Sequence, residues 1–152
     1  MYIKTKIASA ISYRPKLLIL DEPTSGLDPI ARSDMLDMFR DYMKDSDNAI
    51  FISSHITTDL EKLADEILFI DDGKIILNQT RDELLNNYLL VTCNEEEFSK
   101  IDSNDYINYK KNRFDYELLV SSDIDYKEKY NITNISKPSL EKIMIIYIRG
   151  DK

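Results

Sequence analysis

The stretch LLILDEPTSGLDP, residues 17–29, decides the fold expected for this chain. It opens with four apolar residues in a row, a pattern typical of a strand that is covered on both faces of a parallel sheet. Two neighbouring carboxylates, Asp21 and Glu22, follow the strand, and a turn of small residues leads to Asp28 and Pro29. Asp accepts hydrogen bonds from free backbone amides and Pro fits the first helical position, so this pair predicts a helix start.

The flanking sequence continues an alternation of helix and strand. Ile3, Ile7 and Ile11 stand at helical spacing and predict a first helix with one buried face. AIFISSH, residues 49–55, is a second apolar strand that ends in polar residues, and residues 66–77 predict a hairpin around the turn DDGK. Such alternation indicates an α/β architecture. Two pairs fit the capping box that opens a helix: Thr58 with Glu61, and Thr80 with Glu83.

The composition changes after Tyr88, where Tyr, Asn, Asp and Lys become frequent. We therefore expect two domains, residues 1–88 with the α/β core and residues 89–152 as a small α+β accessory domain. Strands are predicted at 89–93, 106–110 and 116–121, and helices near 95–100, 125–130 and 140–149.

Charge and cysteine content exclude several classes of protein. The net charge is -8, from 20 basic and 28 acidic residues, which argues against a nucleic-acid partner because phosphates need a basic surface. Cys93 is the only cysteine, which excludes an internal disulfide, and its apolar surroundings predict a small buried side chain. No apolar run approaches the ~20 residues that span a bilayer. We expect a cytoplasmic protein that reaches a membrane only through a partner.

Asp21, Glu22 and His55 follow the ends of two predicted parallel strands. The carboxyl ends of parallel strands share one edge of the sheet, so these side chains are expected to meet there. An acid at this place can hold Mg²⁺ through water beside a phosphate, a second acid can polarise a water, and an imidazole can hydrogen-bond a transferring phosphoryl group. Each feature alone is more often an ordinary loop. Their combination suits phosphoanhydride hydrolysis.

Residues 1 to about 85 resemble the C-terminal half of an ATP-binding cassette (ABC) nucleotide-binding domain, a partial P-loop NTPase fold. LLILDEP matches the Walker B strand, SGLD at Ser25 to Asp28 matches the D-loop, and His55 matches the switch histidine. The resemblance implies that Asp21 helps to hold Mg²⁺, that Glu22 acts as general base or orients water, and that His55 contacts the γ-phosphate. It also implies that Asp21, Ser25 and Asp28 contribute to ATP binding, with the D-loop at the interface to a second ATPase subunit.

The phosphate loop of that family, Gly-x-x-x-x-Gly-Lys-Ser/Thr, does not occur in the sequence, which holds three glycines. We therefore expect the chain to be the C-terminal portion of a longer ATPase subunit and to be inactive by itself. The missing strands also predict an exposed sheet edge, and hence a homo-oligomer of the isolated chain.

KPSLEKIMIIYIRG, residues 137–150, is similar to the helix that closes ATPase subunits of ABC-2-type exporters. The resemblance implies a transmembrane permease partner and a peripheral position at the inner face of the cell membrane. Two alternatives remain open at this point. One is a soluble ABC protein that works without a permease, and the other is a regulatory or interaction module derived from one.

Overall fold

The computed structural model describes residues 2–152, with side chains from Thr5 onward. The predicted burial of Ile3 therefore lies outside the described side chains. The chain divides into two compact units, one that ends at Leu63 and one that runs from Ala64 to Lys152.

The first unit alternates helices with two parallel strands. The strands pair in a single register that joins Leu17 to Ala49 and Asp21 to Ser53, which confirms the predicted strand pair and the α/β character of this half. The elements are α1 (Tyr2–Ser12), β1 (Leu17–Asp21), α2 (Pro29–Tyr42), β2 (Ala49–Ser53) and α3 (Thr57–Leu63).

The core of the first unit lies between the helices and one face of the strand pair. Leu20, Ile50 and Ile52 point from the strands into this core. Asp28 caps α2 by accepting hydrogen bonds from the backbone N–H groups of Ile30 (3.0 Å) and Ala31 (2.9 Å), as the Asp-Pro signal predicts. The buried members of the core are Ile7, Met35, Leu36, Phe39 and Leu63.

The opposite face of the strand pair is exposed. Leu17, Ile19 and Phe51 are 53%, 73% and 56% exposed, respectively. The prediction of a strand covered on both faces is therefore wrong for this chain. Apolar residues without alternation indicate that both faces can be covered, whereas the described helices of the first unit pack on one face only.

The second unit begins with an antiparallel hairpin and continues into a four-stranded antiparallel sheet. The hairpin turn places Asp72 and Gly73 at φ 46° and 71°, as the DDGK signal predicts for a tight turn. The elements are β3 (Glu66–Asp71), β4 (Lys74–Thr80), α4 (Arg81–Asn86), β5 (Tyr88–Cys93), α5 (Glu95–Phe98), β6 (Asn108–Lys111), β7 (Tyr116–Ser121), α6 (Tyr126–Tyr130), β8 (Ile135–Ser136) and α7 (Leu140–Arg149).

The four-stranded sheet has the order β6-β7-β5-β8, and α7 packs against β6 and β7. Ser139 caps α7 by accepting a hydrogen bond from the Lys142 N–H at 3.2 Å. The short strand β8 has no counterpart in the sequence-based prediction, and β6 begins at Asn108, two residues later than predicted. The α7 residues that are fully buried are Leu140, Ile143 and Ile146.

The boundary predicted after Tyr88 falls inside the second compact unit, where α4 packs against β5 and α7. It stays a prediction about the limits of the ATPase-like part. Cys93 is buried, as predicted, and burial raises the pKa of its thiol to about 11, with the charges of Glu97 and Asp115 adding to the effect.

Across residues 2–152, none of the helices combines the length and the apolar character needed to cross a bilayer.

Leu118 offers a test of the second unit. Its side chain on β7 is fully buried, so Leu118→Ala should lower the free energy of unfolding by about 2–5 kcal/mol through lost burial and the cavity left behind. Phe114→Ala, which removes a side chain that is 82% exposed just before the same strand, should change it by less than about 0.5 kcal/mol. Urea titration followed by circular dichroism measures both, and equal losses would contradict the packing described.

Candidate functional site

The predicted site residues lie where the two parallel strands end. The register sets Asp21, the last residue of β1, beside Ser53, the last residue of β2. Glu22 follows Asp21 directly, and His55 follows β2 after one further residue. The structure thus brings Asp21, Glu22 and His55 together at one edge of the sheet.

Glu22 is held through both its backbone and its side chain. Its φ of 46° lies in the left-handed region, which is uncommon for a residue with a side chain. Its N–H donates to the backbone oxygen of Ser53 at 3.1 Å and to the Ser53 hydroxyl at 3.2 Å. Such a conformation persists where surrounding contacts fix it, and here the end of the neighbouring strand does so.

Both oxygens of the Glu22 carboxylate face His55. Oε1 accepts a hydrogen bond from the His55 backbone N–H at 2.9 Å, and Oε2 lies 2.8 Å from Nδ1 of the His55 ring. Oε2 is buried and accepts no hydrogen bond of good geometry among the described residues. The His55 side chain itself is 69% exposed. The pair therefore combines a partly shielded carboxylate with an imidazole that solvent can reach.

Ser53 connects the two acids, and sequence reasoning missed it. Its hydroxyl donates a hydrogen bond to Oδ1 of Asp21 and accepts one from the N–H of Glu22. The predicted parallel pairing could have identified Ser53, because two strands of five residues that start in register also end in register. A polar residue at the end of the second strand then faces the acid at the end of the first.

Asp21 has the chemistry of a ligand for a hydrated cation. Its carboxylate is exposed, and the described residues give Oδ2 no hydrogen-bond donor, while Oδ1 receives the Ser53 hydroxyl. Mg²⁺ prefers oxygen ligands and usually retains several waters, so one or two protein carboxylates suffice. Within residues 2–152, no three His, Cys, Asp or Glu side chains lie together as a metal cluster. An exposed carboxylate such as that of Asp21 suits a cation that keeps most of its waters, as Mg²⁺ does.

Ser25 and Asp28 lie on the turn that leads from Glu22 to α2. The Ser25 N–H donates to the Glu22 carbonyl at 3.2 Å and so closes a turn, which continues through Gly26 at φ 72°. The Asp28 carboxylate is engaged by the first turn of α2. Thr24 is fully buried in the same turn, and its hydroxyl finds no hydrogen-bond partner among the described residues.

Sequences similar to this chain include ATP-binding proteins of transport systems. The lantibiotic transport ATP-binding protein SrtF of Streptococcus pyogenes is 46% identical over 96 residues, covering 58% of this chain and 42% of SrtF. The energy-coupling factor transporter ATP-binding protein EcfA2 of Ligilactobacillus salivarius is 37% identical over 84 residues, 55% of this chain and 29% of EcfA2. The bacitracin transport ATP-binding protein BcrA of Bacillus licheniformis is 46% identical over 70 residues, 46% of this chain and 23% of BcrA.

The chain thus spans less than half the length of each of these relatives. No protein-family model matches the sequence. Among solved structures, CbiO1 from Clostridium perfringens, part of an ABC transporter complex, aligns over 51% of this chain and 31% of its own with 32% identity and a TM-score of 0.46. A metal-chelate type ABC transporter aligns over 76% of this chain and 43% of its own with 17% identity and a TM-score of 0.48.

The relatives confirm the resemblance that the motifs indicate. With the parallel strand pair and the antiparallel second sheet, they also confirm the predicted fold class, a partial ABC ATPase core followed by a small α+β part. About half of the chain is homologous to the ATP-binding proteins of ABC transporters.

Proposed function

We propose that this chain is the C-terminal portion of the ATPase subunit of an ABC transporter, which hydrolyses ATP to power a separate membrane permease. The observation that carries the proposal is the meeting of Asp21, Glu22 and His55 at the carboxyl end of the strand pair. The names of the relatives, all ATP-binding proteins of transport systems, support it.

Each residue has a proposed role that follows from its surroundings. Asp21, exposed and oriented by Ser53, holds Mg²⁺ through water. When bound, Mg²⁺ neutralises charge on the phosphates of ATP. Glu22, whose carboxylate lies at the same edge as Asp21 and His55, accepts a proton from the attacking water or orients it. His55 donates a hydrogen bond to the transferring phosphoryl group from its solvent-facing ring.

The remaining parts receive the following proposed roles. Residues 1–88 form the C-terminal half of the ATPase domain, with Ser25 and Asp28 at the interface to a second ATPase subunit. Residues 89–152 form an accessory domain. The similarity of residues 137–150, which contain α7, to the helix that closes ABC-2-type exporter subunits supports an exporter-type subunit. Such a subunit lies in the cytoplasm at the inner face of the membrane, attached through its permease.

The 152-residue chain alone should bind Mg-ATP no more tightly than millimolar and should not hydrolyse it. Phosphate affinity comes mainly from the backbone amides and the Lys of a phosphate loop, which this sequence does not contain. Isothermal titration with Mg-ATP and a phosphate-release assay measure the two properties, with the full-length subunit as the positive control. A submillimolar dissociation constant for the isolated chain would contradict the expectation.

In the full-length subunit, Glu22→Gln should lower the turnover by roughly 10²–10⁴-fold, because an amide keeps the shape of the side chain but cannot accept a proton. Nucleotide binding should persist. Asp21→Asn should instead raise the Mg²⁺ concentration needed for activity, since it removes charge next to the metal. Asp47→Asn, at an exposed acid outside the site, is the control and should leave turnover unchanged. Wild-type turnover in Glu22→Gln would remove Glu22 from the mechanism.

The isolated chain should form an oligomer, most simply a two-fold dimer, independently of nucleotide. Among the described strands, β2 pairs only with β1, and Phe51 on β2 is exposed. Burial of apolar surface contributes about 25 cal/mol per Å², which favours covering this edge with a second copy. Light scattering at micromolar concentration, with and without Mg-ATP, tests the idea.

Two variants separate this edge from other exposed surface. Phe51→Lys should give a monomer, because a charge on an edge strand opposes pairing. Phe114→Lys, at an even more exposed aromatic residue of the second unit, should not change the mass. A monomeric unmodified chain would rule out the dimer.

A further inference from the structure

Strand β6 lies at one end of the four-stranded sheet of the second unit, and among the described strands it pairs only with β7. The other side of such a strand presents main-chain N–H and C=O groups that a further chain can bind. Whether this edge is open depends on what these groups contact.

Residues 150–152, which follow α7, contact this edge through the main chain of β6. The N–H of Asp151 donates to the carbonyl of Tyr109 at 2.8 Å, and Oδ2 of Asp151 accepts a hydrogen bond from the N–H of Lys111, also at 2.8 Å. Tyr109 and Lys111 are alternate residues of β6, and bonds to alternate residues are the pattern by which an antiparallel neighbour pairs. Segment 150–152 therefore takes the place of a neighbouring strand at this edge.

The Lys152 ammonium has a binding place of its own beside the edge. It donates to the carbonyls of Ser103 at 2.7 Å and Tyr106 at 2.8 Å, and it lies 4.6 Å from the centre of the Tyr106 ring. Carbonyl oxygens and the face of an aromatic ring both attract a cation. The main-chain N–H of Lys152 donates to Oδ1 of Asn108 at 3.0 Å, an oxygen that also accepts the N–H of Tyr109 at 2.9 Å. A base at this place is thus held by its charge as well as by its backbone.

Gly150 fits this edge because it has no side chain. A Cβ at residue 150 would overlap the side-chain amide of Asn108. Asn108 would have to turn away, and its Oδ1 would then lose the N–H groups of Tyr109 and Lys152. The contacts of Gly150, Asp151 and Lys152 together define a pattern: a small residue, then an acid, then a base.

The charges of the edge favour such a segment over a second copy of β6. The strand has the sequence NYKK, which contains no acid, and two copies paired edge to edge would bring Lys110 and Lys111 of each together. Like charges on neighbouring strands are destabilising. Glu95, 3.6 Å from the Lys111 ammonium, and Glu117, opposite Lys110 on β7, reduce this repulsion. The acceptor for the Lys111 N–H, however, comes from the carboxylate of Asp151.

We propose that the free edge of β6 is a strand-addition site for an extended segment of a partner protein in which a small residue is followed by an acid and a base. In this structure segment 150–152 fills the site from within the same chain. A partner segment has to displace it, so segment 150–152 keeps the site closed against weaker competitors. This binding activity is separate from nucleotide hydrolysis and does not rest on the function proposed above.

Hydrogen exchange in the full 152-residue chain tests whether the segment closes the edge. The double variant Gly150→Leu/Asp151→Ala removes the close fit to Asn108 and the acceptor of the Lys111 N–H. The Lys111 amide should then exchange at least about fivefold faster, because it loses its hydrogen bond. Asp123→Ala, at an exposed acid just after β7, is the control and should leave this rate unchanged. An unchanged rate in the double variant would overturn the proposal.

Nuclear magnetic resonance titration of the ¹⁵N-labelled chain tests whether a separate segment binds. The probe is the peptide Arg-Gly-Asp-Lys, blocked at both ends, which has the sequence of residues 149–152. In the double variant the amides of Tyr109 and Lys111 should shift and saturate, with a dissociation constant on the order of 1 mM for a short segment at an exposed edge. The unmodified chain should bind at least about tenfold more weakly, because its tethered segment competes at a high effective concentration.

Three further peptides test the pattern of small residue, acid and base. Arg-Leu-Asp-Lys lacks the small residue, Arg-Gly-Asn-Lys lacks the acid, and Arg-Gly-Asp-Gln lacks the base. Each should bind the double variant at least about threefold more weakly than Arg-Gly-Asp-Lys, because it loses the close fit or one charge-assisted hydrogen bond. Equal binding of any of the three would contradict the pattern and overturn the proposal. Equal affinity of the double variant and the unmodified chain for Arg-Gly-Asp-Lys would show that segment 150–152 does not close the site.

Two other results with the double variant would exclude the site. One is the absence of a saturable shift with Arg-Gly-Asp-Lys. The other is a dimer that forms only when the edge is opened, measured by light scattering in the Phe51→Lys background, because β6 would then bind a second copy rather than a partner segment.

Discussion

The parallel pairing of β1 with β2 determines where the acids and the histidine of the candidate site lie. Because the strands start and end in register, Asp21 and Ser53 become neighbours, and the residues that follow them emerge at the same edge. The helices pack on one face of this pair and fix its position. A shift of one residue between the strands would turn their side chains to the opposite face and separate the acids from the serine.

Sequence reasoning succeeded where a signal was local. The Asp28 cap, the DDGK hairpin and the Thr80–Glu83 capping box each depend on a few neighbouring residues, and the structure contains all three. The Thr58–Glu61 capping box failed because α3 begins at Thr57, which places Thr58 inside the helix. Just before it, the Ser54 hydroxyl accepts the Ile56 N–H at 3.0 Å and offers the chain a competing local contact.

Features that depend on contacts between residues far apart in the sequence were harder to predict. The motif predicted that Asp21, Glu22 and His55 converge, but neither the bridging role of Ser53 nor the left-handed backbone of Glu22 is visible in its own stretch of sequence. The two-residue strand β8 is defined by its pairing with β5, which lies more than 40 residues earlier in the chain. The packing of α2 against α3 is likewise not specified by residue periodicity.

The orientation of the Glu22 carboxylate depends only partly on the imidazole of His55. One oxygen is bound by the main chain of residue 55, a donor that any amino acid except proline supplies at that place, and only the other oxygen faces the ring. Replacement of the histidine should therefore keep the hydrogen bond from the backbone of residue 55 to the acid and remove only the contact with the imidazole. The two halves of residue 55 therefore contribute differently: its backbone fixes one oxygen of the acid whatever its side chain, whereas its imidazole contacts only the other oxygen.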